Sequence, residues 1–209
     1  MAKATESKRK PPKAETKAPE TSSAWDKPGV AAGIDAYWQA DPPTAEMRRR
    51  VCADLGPHLQ PGAVLEAGCG SGRMYAALRD AGLLAGREYA GGDSSQAMLA
   101  LARENYPGVE FAPLDILALD RGAPNVVCFH VLQHLPDWRP ALEQLALAAD
   151  RLLYVATWFG NGDRVFDPTT GFWNCWLDYD EFVAACARHG RVVGHPELSG
   201  QTGSVAVYP

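Results

Sequence analysis

Three glycines in five residues constrain this chain more than anything else in it. Gly68, Gly70 and Gly72 follow Val64-Leu65-Glu66-Ala67, a stretch that reads as a short buried strand. After them Met74, Ala77, Leu78 and Ala81 recur at helical spacing. A strand therefore turns into a helix over residues that carry no Cβ, where the backbone can bend tightly and a ligand can approach it closely. Such a turn points to a cofactor that carries a nucleoside.

Strand and helix signals then alternate. Glu88 to Gly92 reads as a strand ending at Asp93, and Ser94 or Ser95 caps a helix with Ala97, Met98, Leu101 and Ala102 on its buried face. Val109 to Ala112 is a third strand, closing at Leu114-Asp115-Ile116, and Val126 to Phe129 a fourth, buried on both faces. A helix with Pro140 in its first turn leads to a fifth strand over Leu152 to Ala156. Residues 157–177 are expected to form a long aromatic binding loop or lid. A helix capped by Asp178 or Asp180 and two closing strands, Arg191 to Leu198 and Ser204 to Tyr208, complete the chain. The alternation predicts an α/β fold: a doubly wound, mostly parallel sheet with helices on both faces and an antiparallel C-terminal edge strand. Ligands in such sheets collect at the carboxyl ends of the strands, where the strand order reverses.

Ahead of the glycine turn, Asp41-Pro42-Pro43 starts a helix whose buried stripe is Met47, Val51 and Leu55. Residues 25–59 are thus expected to form an N-terminal helical cap, and 60–209 the cofactor-binding domain. Residues 1–24 lack an apolar period and are expected to be a disordered basic tail. Six Lys or Arg and three Glu give residues 1–20 a net charge of +3; against −5 for all 209 residues, the remainder carries −8. An acidic body disfavours a broad nucleic-acid surface. The apolar runs are strand-sized, so no membrane span is expected. No N-terminal leader is expected either, since the first twenty residues lack an apolar stretch. Five cysteines without a CxxC pair read as reduced thiols in a cytoplasmic protein, with no disulfide framework and no metal site.

A dinucleotide turn would carry a third glycine at the position of Arg73. Glu66-x-Gly68-x-Gly70-x-Gly72 instead resembles the first motif of the class I S-adenosylmethionine-dependent methyltransferases. Asp93, Asp115-Ile116 and His130 to Pro136 end the second, third and fourth strands in that family's manner. The resemblance covers about residues 60–209 and implies a Rossmann-like, seven-stranded fold, S-adenosyl-L-methionine as cofactor, and methyl transfer to a small-molecule acceptor. On that reading Gly68, Cys69, Gly70 and Gly72 approach the cofactor, and Glu66 receives its ammonium as a charge-assisted bond. Asp93, beside Ser94, takes the ribose hydroxyls; Asp115 and the Ile116 backbone read the adenine. Met98 or Leu114 would wall the ring, and Phe129, at the end of the fourth strand, is a further cofactor-binding candidate. Two alternatives stay open: an NAD-dependent oxidoreductase, and a non-catalytic cofactor-binding or interaction protein.

Methyl transfer is a displacement that depends on alignment, and it needs a base only for a hydroxyl or protonated amine acceptor. His130 is the first base candidate. His134 resembles a position widespread in the family, where it orders the turn. Tyr37, Trp38, Trp158, Phe159 and Trp173 are candidates for a substrate platform or cover, and Arg164 for meeting an acidic substrate. No motif names the acceptor, which leaves O, N and C nucleophiles of a metabolite, a glycan among them.

Overall fold

The computed structural model describes residues 22–209. All but the last three residues of the expected tail lie outside that range. Those three do not belong to a tail: Ser22–Trp25 is a helix, α1, and Ala24 is buried.

The expected sheet is present. Strands β1 (Val64–Ala67), β2 (Tyr89–Asp93), β3 (Glu110–Pro113), β4 (Ala123–Phe129) and β5 (Ala149–Gly160) are parallel, and β9 (Arg191–Ser199) and β10 (Thr202–Tyr208) form the antiparallel hairpin. The order is β3-β2-β1-β4-β5-β10-β9, so the hairpin makes one edge and the C-terminal strand lies one place in from the rim, antiparallel to β5. The order reverses between β1 and β4, which opens a crevice at their carboxyl ends.

Two-residue alternation divides the sheet between two cores. Leu65, Val126, Cys128, Leu153 and Val155 pack on one face against Leu142 and Leu145 of α6 (Arg139–Ala148) and Phe182 of α7 (Tyr179–Cys186). Val64, Val127, Phe129, Leu152 and Tyr154 pack on the other, against Val51 and Leu55 of α3 (Pro42–Leu55) and Met74 and Leu78 of α4 (Arg73–Asp80). The stripe of α3 is thus one wall of a core, which holds the cap to the sheet. Its start is fixed by Asp41, whose carboxylate accepts from the Thr44 amide at 2.9 Å, with proline in the first turn. Ser95, rather than Ser94, caps α5 (Gln96–Asn105), and Asp178 caps α7.

The segment 157–177 differs from the expected loop. β5 runs on to Gly160, β6 (Arg164–Asp167) and β7 (Phe172–Cys175) form a separate hairpin, and β8 (Leu177–Asp178) pairs with the end of β5. Asp167 builds the turn by accepting from the Thr169 amide and the Thr170 hydroxyl, and Gly171 takes φ 81° there. Arg164 donates to the Pro136 carbonyl and lies outside the cavity described below.

α1 and α2 (Val30–Ala40) complete the cap. Trp25 stacks on Phe172 at 4.2 Å, while Asp26 accepts from the Ser95 hydroxyl at 2.7 Å and the Ala97 amide at 3.1 Å. The N-terminal segment therefore bridges the β6–β7 hairpin and the start of α5.

Candidate active site

At the carboxyl ends of β1, β2 and β4 lies a cavity, floored by the glycine turn and covered by Trp25 and Trp38. Gly68 takes φ 83°, and a Cβ there would sit 2.1 Å from Val131 Cγ2, so only glycine fits. Gly70 also has positive φ, 52°, and its amide donates to Asp93 Oδ2 at 2.8 Å. Asp93 Oδ1 accepts from the Ser95 amide at 2.9 Å. These two bonds aim the carboxylate into the cavity and leave each oxygen with a free lone pair. Burial raises its pKa, with a smaller push from the Asp26 charge, against the backbone N–H groups of Ser95, Gly70 and Ser94 that favour the charged form.

Glu66 is 1% exposed and lines the same cavity. Burial pushes its carboxyl up to about 8, opposed by the hydroxyl of Tyr89, which donates to Oε2 at 2.5 Å. Among the described residues nothing bonds to Oε1. Cys69 lines the cavity as a packed thiol, since burial raises its pKa and disfavours the thiolate. Ser94, Met98, Leu114, Ile116 and Phe129 also line it.

Four expected residues lie elsewhere, each for a visible reason. Gly72 is outside the lining; a Cβ there would meet the Tyr106 ring at 2.8 Å, which makes it a packing glycine. Asp115 is exposed, and its carboxylate caps the Leu117 amide at 2.9 Å. Tyr37 is 60% exposed on the outer side of α2. Phe159 is a core residue: β5 alternation turns it toward Tyr179 and Phe182, at 5.0 and 5.5 Å. Trp158 and Trp173 are also absent from the lining, but both touch the histidines that are in it. Trp158 stacks on Trp176 and meets His130 and His134 edge-on at 6.1 and 5.6 Å.

His130 and His134 both reach the cavity. His130 sits at φ 55°, an uncommon conformation for a residue with a side chain, and its Nε2 faces Thr202 Oγ1 at 3.1 Å. Burial lowers its pKa to about 4, helped by the Arg48 charge and by the cost of protonating it beside a second imidazole, His134. His134 closes a short 3-10 turn over Leu132–His134 and places Nδ1 2.8 Å from the Trp173 carbonyl. A carbonyl only accepts, so Nδ1 carries the proton and Nε2 keeps its lone pair. Burial lowers the His134 pKa, opposed by that carbonyl, and keeps the ring neutral.

Residues not expected from the sequence also line the cavity. Thr44, Met47, Arg48 and Val51 come from one face of α3, at spacings of three and four. Arg73 reaches the cavity from the start of α4, where it grips Asp35 of α2 through Nε at 2.7 Å and Nη2 at 2.6 Å. The Ser71 hydroxyl adds a third bond to that carboxylate at 2.5 Å. The residue that interrupts the dinucleotide pattern therefore ties the cap to the glycine turn.

The family model described as "Methyltransferase domain" matches residues 40–190. The chain belongs to that methyltransferase family. A curated relative, trans-aconitate 2-methyltransferase of Methylobacterium nodulans, is 36% identical over 111 residues, which cover 49% of this methyltransferase-family chain and 41% of the relative. The chain thus matches about two fifths of that relative's length. Among solved structures, magnesium protoporphyrin IX methyltransferase from Synechocystis PCC 6803 with bound SAM superposes with a TM-score of 0.67 at 17% identity, over 92% of this chain and 99% of that one. CalS10, an amino pentose methyltransferase from Micromonospora echinaspora, gives 0.63 at 19% identity, over 85% and 96%. At these identities the superpositions establish a shared fold.

Proposed function

We propose that the chain transfers a methyl group from S-adenosyl-L-methionine to a small-molecule acceptor held in the cavity under Trp25 and Trp38. One observation carries this reading: the glycine turn, Glu66, Asp93 and a neutral His134 open into a single cavity at the point where strand order reverses. Gly68 and Gly70 let the cofactor lie against the backbone, and Glu66 Oε1 faces its ammonium. Asp93 accepts the ribose hydroxyls, while Met98, Leu114 and Ile116 enclose the adenine. Bound S-adenosylmethionine supplies an electrophilic methyl carbon on its sulfonium.

The chain's own part is alignment, exclusion of water and handling of one proton. Trp25 and Trp38 cover the cavity, and Trp25 is latched by its stacking on Phe172. His134 Nε2 accepts the proton of a hydroxyl or amine nucleophile as that nucleophile attacks. His130 shapes the strand end. The relatives named for trans-aconitate, a porphyrin and an amino pentose support a small molecule as the acceptor, and the net charge of −5 argues against nucleic acid. Five buried, unbridged cysteines fit a reducing, cytoplasmic setting.

Calorimetry with S-adenosylmethionine, S-adenosylhomocysteine and NAD tests the reading. Both adenosyl compounds are expected to bind and NAD is not; the reverse result would remove it.

A further inference from the structure

Two arginines reach the cavity, and they are not equivalent. Arg73 is satisfied by the Asp35 carboxylate, both ends of which are engaged. Arg48 is half-buried on α3 and makes one hydrogen bond, from Nη2 to the Trp38 carbonyl at 3.0 Å. Among the described residues no carboxylate stands within ion-pairing distance of it, and the other donors of its planar fork are unassigned. The two carboxyl groups of the cavity do not serve it either. Glu66 is bonded by the Tyr89 hydroxyl, and Asp93 by the Gly70 and Ser95 amides.

An uncompensated guanidinium drawn partly out of water is costly unless an anion joins it. Its neighbours along the helix face are Met47 and Val51, which exclude water and strengthen any charge pairing made there. Thr44 does not compete for an anion, because its hydroxyl donates to Asp41. The bond to the Trp38 carbonyl orients the fork and links it to the residue that covers the cavity. A fork of this shape matches a planar carboxylate.

We propose that Arg48 is the carboxylate receptor of this cavity. The inference rests on the reading that the cavity holds S-adenosylmethionine and its acceptor. Two sources offer the same chemistry: the amino-acid carboxylate of the cofactor, and a carboxylate on the acceptor.

The test compares wild type, Arg48→Met and Arg48→Lys by calorimetry. The probes are S-adenosylhomocysteine and 5′-methylthioadenosine, which keeps the adenosine and sulfur but lacks the amino-acid end. Citrate is then titrated into protein saturated with S-adenosylhomocysteine. If the cofactor is the source, Arg48→Met weakens S-adenosylhomocysteine by roughly 10- to 100-fold and leaves methylthioadenosine unchanged. If the acceptor is the source, S-adenosylhomocysteine affinity is unchanged and the citrate binding of wild type is lost in Arg48→Met. Arg48→Lys recovers part of the loss in either case. Equal weakening of both adenosyl probes overturns the proposal, as does a variant in which neither S-adenosylhomocysteine nor citrate binding changes. Failure of the wild type to bind either adenosyl probe would instead remove the parent reading.

Discussion

The Tyr89 hydroxyl stands 2.5 Å from Glu66 Oε2 and donates to it, at the end of a strand where that carboxyl is 1% exposed. The bond holds the side chain in one rotamer, and burial keeps its proton on up to a pH of about 8. On the proposed function, in which Glu66 receives the ammonium of the cofactor, a buried neutral acid at that place links binding to proton release.

The affinity for S-adenosylhomocysteine is therefore expected to rise from pH 6 to about pH 8, by up to about tenfold per unit. Below the raised pKa the ligand's ammonium must displace the Glu66 proton; above it the carboxylate is already charged. Calorimetry in buffers of different ionisation enthalpy should show a proton released at pH 7. Glu66→Gln should abolish both the release and the slope, and methylthioadenosine, with no ammonium, should show neither.

The same group has a stability consequence of opposite direction in the ligand-free protein. Its folded pKa lies above its ordinary value of 4.5, so between 4.5 and about 8 the folded state holds a proton that the unfolded state has lost. Stability from this group is present at the acid end and declines as pH rises across that window. Glu66→Gln should flatten the decline in urea midpoints measured from pH 5 to 8. An unaltered slope would show that Glu66 is ionised in the fold.

For a hydroxyl or amine acceptor, His134→Gln should lower turnover by about 10² to 10⁴ with little change in cofactor affinity. Because burial lowers the His134 pKa, wild-type turnover should be flat through pH 7 and fall only on the acid side of the ordinary histidine range. His130→Asn, which tolerates the positive φ of that position, should retain most of the activity. Equal losses in the two variants would contradict the division of roles between them.

The sheet and its crevice were legible because two-residue alternation and three glycines act locally. What escaped was set by partners far away in the chain. Arg48 lies on the same stripe as Met47 and Val51, and a long cation at a position with apolar neighbours three and four residues along was the available signal. Its meaning depended on α3 facing the glycine turn, which no local pattern states. Arg73 was legible as a departure from a dinucleotide turn, but its role comes from Asp35, 38 residues earlier. The hairpin over 164–175 was hidden because Asp167 makes its turn by accepting from the Thr169 amide and the Thr170 hydroxyl, while Gly171 closes it with a backbone amide bond to the Asp167 carbonyl. Phe159 then read as a loop aromatic, although it continues the β5 alternation into the core.

The Asp35–Arg73 pair should behave as a structural latch. Its side chains are 12% and 17% exposed, so Asp35→Ala leaves a mostly buried guanidinium without its partner and should cost about 3 kcal/mol. The double variant Asp35→Leu/Arg73→Met should be more stable than Asp35→Ala alone, since it removes both charges together. Urea unfolding of Asp35→Leu, Arg73→Met and the double variant closes the cycle and gives the coupling energy; additive losses would mean that the pair does not join the cap to the turn.

Two aromatic substitutions separate cover from core. Phe159 is 8% exposed and packed between β5 and α7, so Phe159→Ala should cost about 3–5 kcal/mol of stability and leave cofactor affinity of the folded protein unchanged. Trp38 lines the cavity at the end of α2, and its ring lies 3.6 Å from the Cβ position of Gly70. Trp38→Ala opens the cover above the glycine turn while leaving both sheet cores intact. It should weaken S-adenosylhomocysteine binding with a smaller fall in melting temperature than Phe159→Ala produces. The contrast reads out position alone, because both changes delete a large ring: one from between a strand and a helix, the other from the roof of the cavity. If Phe159→Ala weakened binding more than Trp38→Ala did, the sheet face would have to be reassigned, since β5 would then be turning Phe159 toward the ligand.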